Sequence, residues 1–186
     1  AVRTSAFLLK RKLGEHAVTV DTQLLRIDSS VARCDAVITQ FLDYAKSHQL
    51  EYQECNFDNW VVKLVEEEGQ KLPAAIAIEC DLGLESISVP FDQARLSRVL
   101  INLLNNASEA MVGRGDDPAK FATQTPKITI VTRKSARGIE IDIHDTGPGI
   151  AEDHIAKILE PLFTTKSFGT GLGLPLVKNI IEAHQG

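Results

Sequence analysis

No stretch of this sequence stays apolar for the roughly 20 residues that a bilayer span needs. The start, AVRTSAFLLKRKLGEH, is basic and helical in pattern and lacks the small-residue cleavage site of a secretory leader. Cysteine is scarce. The three present, Cys34, Cys55 and Cys80, are far apart and odd in number, which argues against a disulfide framework and against a cysteine zinc site. A cationic surplus is missing as well. The net charge is −5, whereas a protein that binds nucleic acid wants a basic face. One nucleotide is a different matter, because a few backbone N–H groups and a metal are enough to hold it. These absences point to a cytoplasmic, reducing setting, with no nucleic-acid partner and no membrane contact within the chain. A longer parent protein could still be membrane-anchored, and the ending at AHQG, without a closing strand, predicts that the catalytic part continues beyond Gly186.

What is present is an ordinary globular composition. Of 186 residues, 44% are hydrophobic and 24% charged, enough for one domain, or for a small domain with a helical appendage. Internal repeats and low-complexity stretches are lacking. The first 51 residues read as helix. Leu24, Ile27, Val31, Cys34, Ile38, Phe41 and Ala45 keep a three-four spacing, the seam of a helix that packs on another helix. Val2, Ala6, Leu9 and Leu13 repeat it earlier, with Gly14 and Val18-Thr19-Val20 between. An antiparallel hairpin is the first reading and one long helix the second. Two helices bury little by themselves, so dimerisation into a four-helix bundle is expected.

Residues 52–186 change character. NFDNWVVKLVEEEGQKL enters a helix, AAIAIECDL and SISVPF read as strands, and Phe91 to Met111 reads as a helix. KITIVTRKSARGIEIDIHD reads as a hairpin, and HIAKIL and LPLVKNIIEAH as helices. Helices mixed with antiparallel strands, without regular βαβ units, predict an α+β two-layer sandwich.

Four clusters carry chemistry. In RLSRVLINLLNNASEAM, the residues Leu96, Val99, Leu100, Leu103, Leu104, Ala107 and Met111 make a buried stripe, while Asn102, Asn106 and Glu109 share another face. Two amide oxygens one turn apart can hold magnesium, which takes few protein ligands and keeps water and phosphate for the rest. The plain alternative is a polar helix face. In HDTGPGI, Asp145 follows an apolar strand, where a carboxylate can accept a hydrogen bond from an exocyclic amine such as that of adenine. Gly147 and Gly149 leave room there for a flat ligand. In EPLFTTKSF, Lys166 with Thr164 and Thr165 could meet phosphate oxygens. In GTGLGLPLVKNII, Gly169, Gly171 and Gly173 alternate before a helix, whose N-terminus favours anions. This is neither the Walker pattern, which ends in Gly-Lys-Ser/Thr, nor the Rossmann fingerprint. Each cluster alone has a plain structural reading.

Taken in order, NLLNNASEA, DTGPGI, EPLFTTK and GTGLGL resemble the N, G1, F and G2 boxes of the sensor histidine-kinase ATPase domain, within the superfamily that joins gyrase, Hsp90, histidine kinases and MutL. The resemblance covers Phe57 to Gly186. It implies a Bergerat-type ATP-binding sandwich with a mobile lid between Asp145 and Gly171. It implies ATP and Mg2+ as ligands, with Asn102 and Asn106 on the metal, Asp145 on the adenine amino group, and Gly147 and Gly149 beside the base. Lid residues Thr165, Lys166, Gly169, Thr170, Gly171, Leu172 and Gly173 are then expected near the nucleotide. IDSSVARCDAVITQFLDYAK is similar to the second helix of the family's dimerisation and phosphotransfer hairpin. VRTS resembles the tail of the acceptor box, which would place the acceptor histidine before Ala1. His16 fits that box poorly. His144 reads as structural, and His154 and His184 as surface residues. The implied partners are a second copy of the chain and the receiver domain of a response regulator. Arg98 stands where hydrolytic members of the superfamily often carry a glutamate base, which favours phosphotransfer over hydrolysis. A conformational ATPase clamp and a degenerate nucleotide-binding module are the two alternatives.

Overall fold

A computed structural model describes residues 5, 11, 21–45, 49–85, 87–113, 125–166 and 169–186; side chains are not described at 33, 36, 40 and 43–45. The chain divides into two compact units, residues 1–47 and 48–186.

In the first unit, helix α1 spans Asp21–Ala45. Its apolar seam is largely open: Ile27, Ile38 and Phe41 are exposed, and Leu24 is buried. Residues 5 and 11 are helical. The first arm of the expected hairpin, the break at 14–20, and His16 and His48 lie outside the described residues. Among the described residues no helix is long and apolar enough to cross a membrane.

The second unit runs β1 (Gln53–Asn56), α2 (Phe57–Gly69), β2 (Ala77–Leu82), β3 (Ser88–Phe91), α3 (Gln93–Val112), β4 (Lys127–Ser135), β5 (Gly138–Asp145), α4 (Glu152–Ile155) and α5 (Gly173–Ala183). A two-stranded antiparallel sheet pairs β1 with β3, Gln53 opposite Phe91. A three-stranded sheet has the order β2-β4-β5. Within it β4 and β5 form the expected hairpin, but β2 and β4 run parallel, Ala77 opposite Lys127. That corrects the reading of the strands as antiparallel throughout. β3 and α3 lie in the connection from β2 to β4, so the chain returns in the same direction. Two further corrections concern helices. Phe91 belongs to β3, and α3 starts at Gln93 because Asp92 caps it, its Oδ1 accepting from Arg95 N–H at 3.0 Å. The HIAKIL helix is a single turn ending at Ile155. Ile155 and Leu159 stay exposed, so no packing stabilises a longer helix.

The core explains why these elements form. α2 presents Phe57, Trp60, Val61 and Leu64, and α3 presents Leu100, Leu104, Ala107 and Met111; both faces meet Ile128 and Ile130 of β4 in one cluster. Phe57, Trp60 and Phe91 form an aromatic triangle with centroids 5.0–5.3 Å apart, a spacing suited to edge-to-face pairs. α5 docks on α3 through Leu176 and Ile180 against Val99. The result is helices on sheet, the expected α+β arrangement.

One inward position of β4 breaks the apolar pattern. Thr132 is fully buried beside Ile128 and Ile130. Its hydroxyl donates to Asp58 Oδ1 at 2.6 Å and accepts from Gly83 N–H at 3.1 Å, while Asp58 Oδ2 accepts from Leu84 N–H at 2.9 Å. Asp58 thereby ties α2 to the end of β2, as buried polar groups require.

His184, read from sequence as a surface residue, is a tether between α5 and α3. Its Nδ1 stands 2.8 Å from Ile180 O, and its Nε2 accepts from Asp92 N–H at 3.2 Å. Tyr52 packs edge-on at 5.8 Å. His184→Ala is expected to destabilise this unit by about 1–2 kcal/mol, the effect of leaving a part-buried N–H unmade. A urea melt monitored through Trp60 reads it; an unchanged midpoint would show the tether to be idle.

Candidate nucleotide site

The site is laid out along one face of α3. Asn102, Asn106 and Ala110 follow at four-residue steps, so they stack one turn apart, about 6 Å per step. The connection from α4 to α5 arrives at the first two levels, and the turn after β5 arrives at the third.

At the first level, Asn102 Nδ2 donates to Arg98 O at 2.8 Å. Its Oδ1 turns to the start of α5, where a Cβ added to Gly173 would lie 2.9 Å from it. A side chain at 173 would therefore displace the Asn102 amide from its place at the start of α5. The α5 N-cap, Leu172, makes no side-chain cap bond, so the first N–H groups of that helix are available to an anion. Leu172 itself is buried, and its N–H donates to Thr170 Oγ1 at 3.3 Å.

At the second level stands Lys166. Its Nζ donates to Asn106 Oδ1 at 2.9 Å and to Glu109 Oε2 at 2.6 Å. Lys166 N–H donates to Thr164 Oγ1 at 3.1 Å, and Lys166 O accepts from Gly169 N–H at 3.1 Å. Both threonines are exposed, and Thr164 shapes the turn.

At the third level is the turn after β5. Gly147 N–H donates to Asp145 Oδ1 at 2.8 Å. A Cβ on Gly147 would come within 2.7 Å of that oxygen and 3.4 Å of Ala110 and Met111. Gly149 has φ +76°, a conformation glycine adopts without strain. Thr146 fixes the turn from the other side, its Oγ1 accepting from Lys127 N–H at 3.0 Å. Asp145 is exposed at the strand end.

The segment between the second and third levels carries an exposed apolar row: Ile150, Ile155, Leu159 and Leu162. Leu162 has φ +68° and its N–H donates to Gly171 O at 2.9 Å. Gly171, at φ +66°, sits against the Leu162 backbone so closely that a Cβ would fall 2.4 Å from the carbonyl carbon. Gly171→Ala is therefore expected to spring this crossing apart. The strain alone is about 1–3 kcal/mol, and amide exchange at residues 162 and 171 should rise; unchanged protection there would contradict the close approach.

The structure thus brings Asn102, Asn106, Lys166, Gly147 and Gly173 to one helix face, with Asp145 held at its far end. Thr165 is exposed in the same turn as Lys166. Glu109 is a site residue that sequence reasoning placed on the right face without giving it a role; its i+3 relation to Asn106 was the available signal. Leu162 gave no sequence signal, because nothing about a leucine announces a positive φ. Asp58 gave none either.

Comparison with known proteins identifies the family. The profile of the family described as histidine kinase-, DNA gyrase B-, and HSP90-like ATPase matches residues 91–186, just over half of the chain. The chain belongs to that ATPase family. The sensor histidine kinase ZraS of Escherichia coli (strain K12) is 32% identical over 157 residues, 83% of this chain and 31% of that protein. The signal transduction histidine-protein kinase AtoS of the same strain is 32% identical over a 192-residue alignment that takes in 100% of this chain and 29% of AtoS. The chain spans about a third of the length of these relatives. Among solved structures, the nucleotide-free catalytic domain of histidine kinase ThkA superposes with TM-score 0.57 at 32% identity, over 71% of this chain and 80% of that one. ThkA in complex with the response regulator protein TrrA gives TM-score 0.70 at 26% identity, over 98% of this chain and 51% of that one.

Proposed function

We propose that residues 52–186 form the ATP-binding catalytic part of a protein-histidine kinase. The observation that carries this reading is the order of levels on α3. An anion-ready helix start and an amide oxygen lie at Asn102, a second amide oxygen and a lysine at Asn106, and a glycine turn with an exposed carboxylate, one of its oxygens bonded to Gly147 N–H, lies beyond Ala110. A nucleoside triphosphate has the same order, with phosphates at one end and a base with an exocyclic amine at the other. Asp145 accepts from that amine, Gly147 and Gly149 leave the base room, and the N–H groups of Gly171 and Gly173 serve the phosphates.

The donor set also fits a magnesium ion. Among the described residues no group of three His, Cys, Asp or Glu is gathered for a metal. Asn102 and Asn106 supply hard amide oxygens instead, and a cation, the Lys166 ammonium, already rests on one of them. Magnesium bound there would offset charge on the phosphates. The chain's own part is positioning and electrostatics rather than covalent chemistry. Arg98 offers no carboxylate to activate water, which favours transfer to a side chain over hydrolysis.

The acceptor is proposed to be a histidine before Ala1, on the likeness of VRTS to the tail of an acceptor box, and the phosphate to pass on to a response-regulator receiver domain. ThkA, found in complex with such a protein, supports that partner. Residues 1–51 are proposed as dimerisation and phosphotransfer helices. The open seam of Ile27, Ile38 and Phe41 on α1 suits pairing with a second copy.

The test is calorimetric titration with ATP and ADP, with and without magnesium, followed by labelling of a longer chain with γ-phosphate-labelled ATP. Magnesium-assisted binding and an acid-labile, alkali-stable protein phosphate are expected. Release of free phosphate without protein labelling would point to a clamp ATPase, and absence of binding to the folded chain would overturn the reading.

A further inference from the structure

Two residues assigned separate duties above, Asn106 for the metal and Lys166 for phosphate, are bonded to each other. The Lys166 ammonium donates to Asn106 Oδ1 at 2.9 Å and to Glu109 Oε2 at 2.6 Å. The pair is no loose surface contact: the Glu109 side chain is only 16% exposed and that of Lys166 39%. The turn that presents the lysine is fixed on both sides of its backbone, by Thr164 Oγ1 and by Gly169 N–H. Glycine at 169 is required for this, since a Cβ there would fall 2.1 Å from Thr164 Oγ1. The ammonium is a compact charge with three donors, and it occupies the oxygen that a hard cation would take. Two cations cannot share that oxygen at ligand distance without strong repulsion.

We infer that Lys166 is the resident counter-ion of the Asn106–Glu109 pair, so that a divalent cation enters this site by exchange with the lysine ammonium and thereby frees the lid. The inference rests on the nucleotide reading for its purpose but not for its test. In the empty chain the lysine neutralises Glu109 and holds its own turn, Thr164–Lys166, against α3. On arrival of the metal with its phosphates, the ammonium leaves Asn106 and swings toward phosphate oxygens. The same side chain is then a latch before binding and an anion contact after it.

The probe is Mn2+ alone, read by its paramagnetic resonance signal, on nucleotide-free wild type and on Lys166→Met. Methionine keeps the stem and cannot pair. Removing a half-exposed competing pair is expected to tighten Mn2+ binding about two- to fivefold. Hydrogen exchange at residues 162–166 and 169–172 should quicken in the variant, and in wild type when Mn2+ is added. Glu109→Gln, which weakens the latch from the helix side, should quicken the same amides and serves should Lys166→Met fail to fold. Mn2+ affinity that is unchanged or weaker in Lys166→Met, even with ATP binding reduced, would make the lysine a phosphate contact only and overturn the exchange. Lid exchange unaltered in both variants would overturn it equally. A wild-type chain that binds no ATP would sink the nucleotide reading and leave the Mn2+ comparison to decide this inference by itself.

Discussion

Asp145→Asn is expected to weaken ATP binding by about 10- to 100-fold while leaving the fold intact. The carboxylate stands at the end of β5, exposed, with its Oδ1 committed to Gly147 N–H at 2.8 Å. An asparagine keeps an oxygen for that bond, so the turn survives. What is lost is the second, charged acceptor, which would meet the exocyclic amine of the base; in its place stands an amide N–H2 that repels another donor. A hydrogen bond to a charged group contributes about 1.5–3 kcal/mol, and about 1.4 kcal/mol is a factor of ten. Calorimetry measures the loss and a thermal melt verifies the fold. Equal affinity in the variant would remove Asp145 from the site and, with it, the orientation of the nucleotide along α3.

Asp58→Ala is expected to be the most damaging single change to stability, about 3 kcal/mol or more. Asp58 is not one of the residues of the nucleotide face; its two oxygens serve the Thr132 hydroxyl at 2.6 Å and Leu84 N–H at 2.9 Å, all of them buried. Alanine would strand both donors, each at about 1–3 kcal/mol, and the network also holds Gly83 N–H through Thr132. For a unit of this size the melting temperature should fall by about 6–12 °C, taking about 2–4 °C per kcal/mol. Asp58→Asn should lose less, because one acceptor remains. A melt shifted by less than about 2 °C in the alanine variant would show that water replaces the carboxylate and that the network is not a tie. The binding site and the core tie are thereby separable: the first variant changes affinity without stability, and the second changes stability first.

The sequence and the structure diverge in instructive places. The α3 stripe was legible because Leu100, Leu104, Ala107 and Met111 recur at helical spacing, and the β4–β5 hairpin because Ile128, Ile130, Ile139, Ile141 and Ile143 alternate. The parallel pairing of β2 with β4 was not legible. Alternation shows which face a strand buries but carries no sign of strand direction, which depends on how the intervening segment packs. The helix predicted over HIAKIL reduced to one turn for a related reason: its apolar residues have the right spacing, but no surface covers Ile155 and Leu159. His184 was misread because its partner, Asp92 N–H, lies 92 residues away along the chain.

By itself the sequence determined the class of fold, the polar face of α3 and the four clusters that an ATP site would draw on, because periodicity and glycine placement are local properties. Tertiary structure alone decided which loop meets which turn of α3. Leu162 crosses Gly171, Asp58 reaches Thr132, and Lys166 rests on Asn106 and Glu109 because the packing of α2, α3 and α5 fixes where those segments return. A contact between residues some 60 positions apart is settled by that packing, and no local pattern encodes it.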